Sequence, residues 1–471
     1  MKNRKIETAN QNKTDVLALL AVWLISAACM AAYLHRAVTA LPLMDFWLTS
    51  PLWDRLLAGD KSVALFFSTP HIVHWNPLFT FLNNFFFLPV FKFDNRAYIY
   101  AGFLFQLLNM ALCLFILYRS DSSLKSPMLL LGGVLWMLPL TNLNQWEIFT
   151  LYCNFPFMLR VFLFMLTFYL LDRLFHSEKG GWGKTIGLIL LGVFAMLFCG
   201  QGYLFGLYGA IFCVTVLDLF LIRRKAVLKQ QIAILAAFTL AIAYYFATLF
   251  VVDLAGSGIG MSIMYYVKGF LIMLGATVMP NNIAPDYPLA IGAVGALILA
   301  LTVIALIRYF KSGMFRKTYL PLFLLIYAFI NILAIEYGRA DYFGLISLSS
   351  SRYIVETSMG ILGLVMIYWD WFTAVWKDKK RCRYFALAAA ILFIALNLID
   401  DRIEWRMGRY RHEYGVRMID IAYNIDTASD DDLVIFQSDP LYVRHGIEVM
   451  REHELCIFSP EYIRRNPREI E

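Results

Sequence analysis

The sequence predicts an all-α polytopic membrane protein, and three observations carry that prediction. Hydrophobic residues fill 60% of the 471 positions and charged residues only 16%. The mean hydropathy is +0.63, well away from an ordinary soluble domain. Apolar runs recur along the chain, many of them long enough for a hydrocarbon core of about 30 Å. Lysine and arginine gather in alternate connecting loops, which is the positive-inside pattern. The formal charge of +7 is therefore a topology signal and not a nucleic-acid one. The seven cysteines are scattered. Cys29, Cys113, Cys199 and Cys213 lie in or beside apolar runs, with no disulfide framework or C-x-x-C metal pattern.

Residues 1–15 form a short N-terminus with Lys2, Arg4, Lys5 and Lys13, read as cytoplasmic. The first span is 16–34. Its basic flank and the small residues Ala37 to Ala40 would also suit a signal peptide, but the many following spans favour a retained helix. Ten further spans are expected at 97–118, 127–141, 157–171, 185–199, 203–221, 231–251, 286–307, 318–335, 353–376 and 385–399, about eleven in all. Loops on one side carry Arg119 and Lys125, then Arg173, Lys179 and Lys184, then Arg223 to Lys229. The same side continues with Arg308 to Lys317 and Lys377 to Arg383. The opposite loops 142–156 and 200–202 carry no Lys or Arg, and 252–285 has only Lys268. This alternation puts the N-terminus in the cytoplasm and the C-terminus outside.

Two apolar stretches compete for span status. Asn76 to Phe91 holds two prolines with Asn83 and Asn84, and Tyr265 to Pro280 holds Lys268 and Gly275. Counting the first as a span would push the basic loops outside. Both are therefore expected as helices lying in, or re-entering from, the outer interface. The transmembrane domain thus covers 16–399, with a first outer loop at 35–96. Beyond residue 400 the chain becomes acidic, with Asp400, Asp401, Glu404 and Asp430 to Asp432. There Leu433–Phe436 and Leu455–Phe458 read as short strands flanking a helix at about 441–454. Residues 400–471 are accordingly expected to be a small external α/β region.

The polar residues that invite a chemical reading gather on the outer side. Asp45 stands in Leu43-Met-Asp-Phe-Trp47. A carboxylate in such apolar surroundings is expected to be desolvated and able to accept a proton; its competing reading is a helix cap at the interface. Glu147, in Asn142-Leu-Asn-Gln-Trp-Glu147, is a second outer carboxylate among aromatics, and taken alone reads as a solvated loop charge. His71 and His74 share a helix face, and with Trp75 they suit contacts to a phosphate or a sugar hydroxyl. A divalent metal there would need a third ligand from Asp45 or Glu147 and is not favoured. Arg352-Tyr353 follows Ser347 to Ser351. Its guanidinium suits forked bonds to a phosphate, with Glu356 one turn further in. The alternative for Arg352, and the more ordinary one for Arg160, is snorkelling to lipid headgroups.

Absences narrow the field. No G-x-x-x-x-G-K-[S/T] motif occurs, so nucleotide-driven pumping is not expected. Gly256-Ser-Gly-Ile-Gly260 lacks a strand-to-helix setting, and Gly202, Gly206 and Ala210 read as a close helix-packing stripe. Ionisable residues deep in the spans are scarce, unlike in an ion-coupled transporter.

Met44-Asp45-Phe46-Trp47, His71 to Asn76, Asn144-Gln-Trp-Glu147 and Ser351-Arg352-Tyr353, set in this layout, resemble the GT-C superfamily of membrane glycosyltransferases. The likeness extends to bacterial enzymes that decorate surface glycans from polyprenyl-phosphate sugars. It is a likeness of layout over about 310 positions, and Asp45 lacks the adjacent carboxylate often paired with it in that family. The resemblance implies inverting transfer at the outer face of a bacterial inner membrane, with a lipid-linked sugar donor and a glycan or lipid acceptor. Asp45 would be the base. Arg352, with His71 or His74, would meet the departing phosphate, and Trp75, Glu147 and Tyr353 would complete the substrate- and phosphate-binding set. No cofactor is certain, a divalent metal being possible but not favoured, and no separate general acid is required. The competing readings are an O-antigen-type polymerase or ligase and a lipid-linked glycan flippase or other transporter.

Overall fold

The computed structural model describes residues 2–60, 62, 76–120, 126–178, 180–222, 226–249, 261–281, 286–378 and 380–466. Among them the regular structure is helical. Ten helices are long and apolar enough to cross a membrane. The first is α1 (Lys2–Ala37), followed by the short α2 (Ser50–Leu57) and α3 (Pro77–Leu82). Then come α4 (Asn95–Ser120), α5 (Ser126–Thr141), the five-residue α6 (Trp146–Thr150) and α7 (Asn154–Phe175). The middle of the chain supplies α8 (Trp182–Phe194), α9 (Leu204–Leu221), α10 (Leu228–Tyr244), α11 (Ile263–Ala276) and α12 (Pro288–Lys311). The last bundle helices are α13 (Leu320–Phe343), α14 (Ile354–Asp378) and α15 (Lys380–Tyr423).

The expected span at 203–221 is α9, whose apolar stretch Leu204–Phe220 falls just short of a crossing length. It nevertheless belongs inside the bundle, because Leu204, Leu207, Ala210, Ile211 and Val214 are fully buried along one face. The small-residue stripe does close two helices together: a Cβ at Gly206 would overlap Asn331 of α13, and one at Gly209 would overlap Ile330. The two stretches expected at the interface are shorter apolar helices, Pro77–Phe91 and Ile263–Ala276. The first leaves Phe81, Phe86, Val90 and Phe91 exposed.

Gly275 and Gly295 bring the backbones of α11 and α12 together, since a Cβ on either would collide with the carbonyl of Ile291 or Leu271. Gly269 does the same between α11 and α13, where a Cβ would overlap Glu336 Oε1 and lie 2.8 Å from Leu348 Cδ1. Gly269→Ala is expected to destabilise the chain by about 1–3 kcal/mol through overpacking. A thermal midpoint in detergent equal to that of the wild type would contradict this contact.

Two hydrophobic cores hold the protein. The larger lies within the bundle and includes Tyr33, Phe164, Leu207, Tyr327 and Leu362. The second caps one end, where Phe46, Trp47, Trp53 and Phe79 pack with Met418, Ile419, Phe436, Val443 and Ile457. The C-terminal residues and the first loop thus share one core. Basic residues Arg119, Arg173, Arg316 and Lys317 lie at helix ends opposite those leading to Asp45, Glu147 and Arg352.

The external region differs from expectation in being helical. The stretch read as a first strand is α16 (Asp430–Leu433) followed by a 3-10 turn, Val434–Phe436. Leu433 and Phe436 are fully buried and Val434 is 63% exposed, a three-residue period that no strand shows. Ser429 closes a capping box with Asp432, which starts the helix. The stretch read as a second strand ends in another 3-10 turn, Cys456–Phe458. Between them the expected helix is α17 (Pro440–Glu452), begun by the Asp439 cap and Pro440, and α18 (Pro460–Arg465) ends the described chain. α15 does not stop at residue 399 but runs for 44 residues from the bundle into the cap.

Candidate functional site

The Asp45 turn is built by its neighbours. Trp47 Nε1 donates to the carbonyl of Pro42 at 3.1 Å, and Met44 adopts a left-handed φ of 61°, a costly conformation for a non-glycine residue. The 3-10 turn Met44–Thr49 then sends Phe46 and Trp47 into the capping core, 2% and 0% exposed. Asp45 projects the other way and is exposed. The desolvated setting expected for it is therefore not found: the flanking apolar side chains turn away from the carboxylate.

Glu147 shows the opposite departure. Read from sequence as a solvated charge, it is 6% exposed. Its Oε2 accepts from Ser350 Oγ at 2.7 Å, Ser351 Oγ at 2.6 Å and the Arg352 backbone N–H at 3.0 Å. Its own backbone N–H donates to Ser351 Oγ at 3.2 Å. Oε1 accepts no hydrogen bond from any described residue. The serines before Arg352 thus serve Glu147, which holds the Ser351–Tyr353 turn in place.

Arg352 is half-buried beside this knot. Its Nε donates to Ser350 Oγ at 3.1 Å, and the guanidinium carbon stands 5.7 Å from the Tyr353 ring centroid. Its two terminal nitrogens bond to no described residue. Tyr353 is buried.

Asp45, Glu147 and Arg352 all act electrostatically on the corner between α6 and α7. The Cys153 thiol is pushed up to about 12, first by burial and then by the Glu147 charge. Arg352 opposes that rise and Asp45 adds to it. Tyr152 is likewise pushed up by burial, by Cys153 and by Asp45. Three charged side chains from distant parts of the chain thus act on one thiol. With the thiol held so far up little of it is thiolate at pH 8, so alkylation is expected to be slow. Asp45→Asn removes one of the charges that push the thiol up and is expected to raise the alkylation rate at fixed pH. An unchanged rate would separate Asp45 from this corner.

Deeper in the bundle lies a second polar group. Arg160 is fully buried, paired through Nη2 with Glu356 Oε1, and it stacks 4.2 Å from Phe157 and 3.9 Å from Tyr203. Tyr327 donates to the other Glu356 oxygen. Arg160 therefore does not snorkel, and Glu356 serves Arg160 instead of Arg352. The reason is geometric: Arg160 faces α14 across the bundle interior, where a carboxylate and two rings meet it. Glu336 of α13 is also fully buried, and neither of its oxygens finds a hydrogen-bond partner among the described residues.

His71, His74 and Trp75 lie outside the described residues. Among the described residues no three His, Cys, Asp or Glu side chains are grouped to hold a metal ion. The fold is that of a multi-pass helical membrane protein. The chain matches no protein-family model, no curated protein and no solved structure.

Proposed function

We propose that this chain is an integral membrane glycosyltransferase. It moves a sugar from a polyprenyl-phosphate donor to a glycan or lipid acceptor at the outer face of a bacterial inner membrane. The N-terminus then lies in the cytoplasm and the C-terminal cap in the periplasm. The observation that carries this reading is the shared electrostatic reach of Asp45, Glu147 and Arg352 to the Cys153 corner at the capped end, opposite the basic helix ends. Sugar nucleotides are cytoplasmic, so a transferase on that face needs a donor already carried across on lipid. The exposed aromatic side chains of the Pro77–Phe91 stretch, Phe81, Phe86 and Phe91, offer such a tail an apolar approach.

In the proposed step Asp45 takes the proton of an acceptor hydroxyl as that oxygen attacks the anomeric carbon. The bond from that carbon to the phosphate oxygen breaks, and lipid phosphate departs with the electron pair. The free terminal nitrogens of Arg352, with His71 or His74, stabilise the departing charge, while Trp75 and Tyr353 line the sugar or phosphate. Glu147 acts as a positioning residue by fixing the Arg352 backbone and Ser350. Exposure suits Asp45 to this role, since the acceptor must reach it from water.

Mass spectrometry of surface glycans and lipid-linked sugars, from cells with and without the gene, tests the reading. Loss of one glycan substituent with a build-up of its lipid-linked donor is expected; unchanged glycans and donors would end it. A transport reading draws on Glu336, since a buried unpaired carboxyl within a bundle is a common mark of a pathway. It expects the same substituent to be lost while detergent-opened membranes still transfer normally. The polymerase reading expects a change in glycan length instead.

A further inference from the structure

α15 changes character along its exposed face without a break in the helix. Ile391, Leu392, Leu396, Leu398 and Ile399 are each 46–60% exposed, as befits a surface against lipid tails. Immediately beyond them Arg402, Arg406 and Arg409 are exposed, spaced i, i+4 and i+7 on one helix face. Trp405 and Tyr410 interleave with them, 37% and 62% exposed. α1 makes the same change at the same level. Exposed Leu17, Leu20, Leu24 and Ile25 lead to exposed His35 and Arg36. Arg36 Nε donates to the Trp405 carbonyl at 3.1 Å, and its guanidinium lies 5.7 Å from the Trp405 ring.

Of the carboxylates of this region, Asp400 is buried and pairs with no described residue, and the others are engaged. Glu404 is buried under Arg411 and Tyr33, at 2.6 Å from each. Asp401 accepts the Leu143 N–H, and Glu413 pairs with Arg409. Arg402 and Arg406 make no ion pair or hydrogen bond with any described residue. Arginines with interleaved aromatics at the end of a lipid-facing surface sit at headgroup depth. There each basic side chain is drawn to negative headgroups. The basic helix ends of the positive-inside pattern lie at the other end of the bundle, so this collar is not explained by topology.

We propose that the collar of Arg36, Arg402, Arg406 and Arg409 binds the phosphate of an anionic phospholipid, with Trp405 and Tyr410 seated among the headgroups. This binding does not depend on glycosyl transfer.

The full chain in neutral-detergent micelles can be titrated with short-chain phosphatidylglycerol, with the bound lipid counted by native mass spectrometry. Short-chain phosphatidylcholine and inorganic phosphate serve as parallel probes. Phosphatidylglycerol is expected to bind and the neutral lipid not to. The Arg402→Gln/Arg406→Gln double variant is expected to bind about thirtyfold more weakly, the size expected for two basic side chains at an anionic surface. Its thermal midpoint without lipid should match the wild type, because neither side chain has a protein partner to lose. Equal binding of the two lipids would overturn the proposal, as would full binding by the double variant. Phosphate displacing all of the phosphatidylglycerol at equal concentration would overturn the lipid as the occupant.

Discussion

Membranes carrying the Asp45→Asn chain are expected to transfer sugar from a lipid-linked donor at no more than about one-hundredth of the wild-type rate. Loss of a general base costs about a hundredfold to ten-thousandfold. The substitution keeps shape and volume, and Asp45 is exposed and pairs with no described residue. Folding should therefore be untouched. Transfer rate, thermal midpoint and Cys153 alkylation separate the possible causes: the first should collapse, the second hold and the third rise. Full transfer by this variant would remove Asp45 from the chemistry.

The largest effect on stability is expected at Glu356. Glu356→Ala leaves the Arg160 charge fully buried without its carboxylate, and breaking such a pair costs about 3–5 kcal/mol. Replacing both partners by apolar residues, Arg160→Met with Glu356→Leu, is expected to recover most of that loss, because desolvation of the pair offsets much of its attraction. Tyr327 loses its acceptor in both variants, so recovery should stop short of complete. Thermal midpoints of the three chains in one detergent decide the matter. A single variant within about 1 kcal/mol of wild type would show that water reaches Arg160.

Much of the bundle was legible because hydropathy is a local property. A run of apolar residues reports its own span, and the prolines and asparagines of 76–91 reported a helix too short to cross. Reading failed where a signal was short or distant. Leu433–Phe436 is four residues of apolar chain, for which strand and helical turn look alike. The deciding clue was Ser429 three residues before Asp432, a capping box lying in plain sight. Glu147 and Ser351 stand 204 positions apart, and Arg160 and Glu356 stand 196 apart. No local pattern joins such pairs. Asp45 was singled out by its apolar neighbours, yet those neighbours are buried because the Met44 turn rotates them away from it. The same residues marked the site and misjudged its solvation.

α15 ties the two ends of this layout together. Its 44 residues span about 66 Å at the usual rise, and no break separates the buried half from the outer one. Along the way Asp401 accepts the Leu143 N–H at 2.8 Å and the Arg411 guanidinium lies 3.2 Å from the Trp146 ring centroid, one residue before Glu147. Beyond it the cap rests on the other half of the site, with Gly446 close enough to Trp47 that a Cβ would come within 2.8 Å of the ring. The helix thus works as a mast stepped in the bilayer. One continuous helix therefore joins the bundle to the cap, touching the Glu147 side of the site through Trp146 and carrying the layer that packs on Trp47.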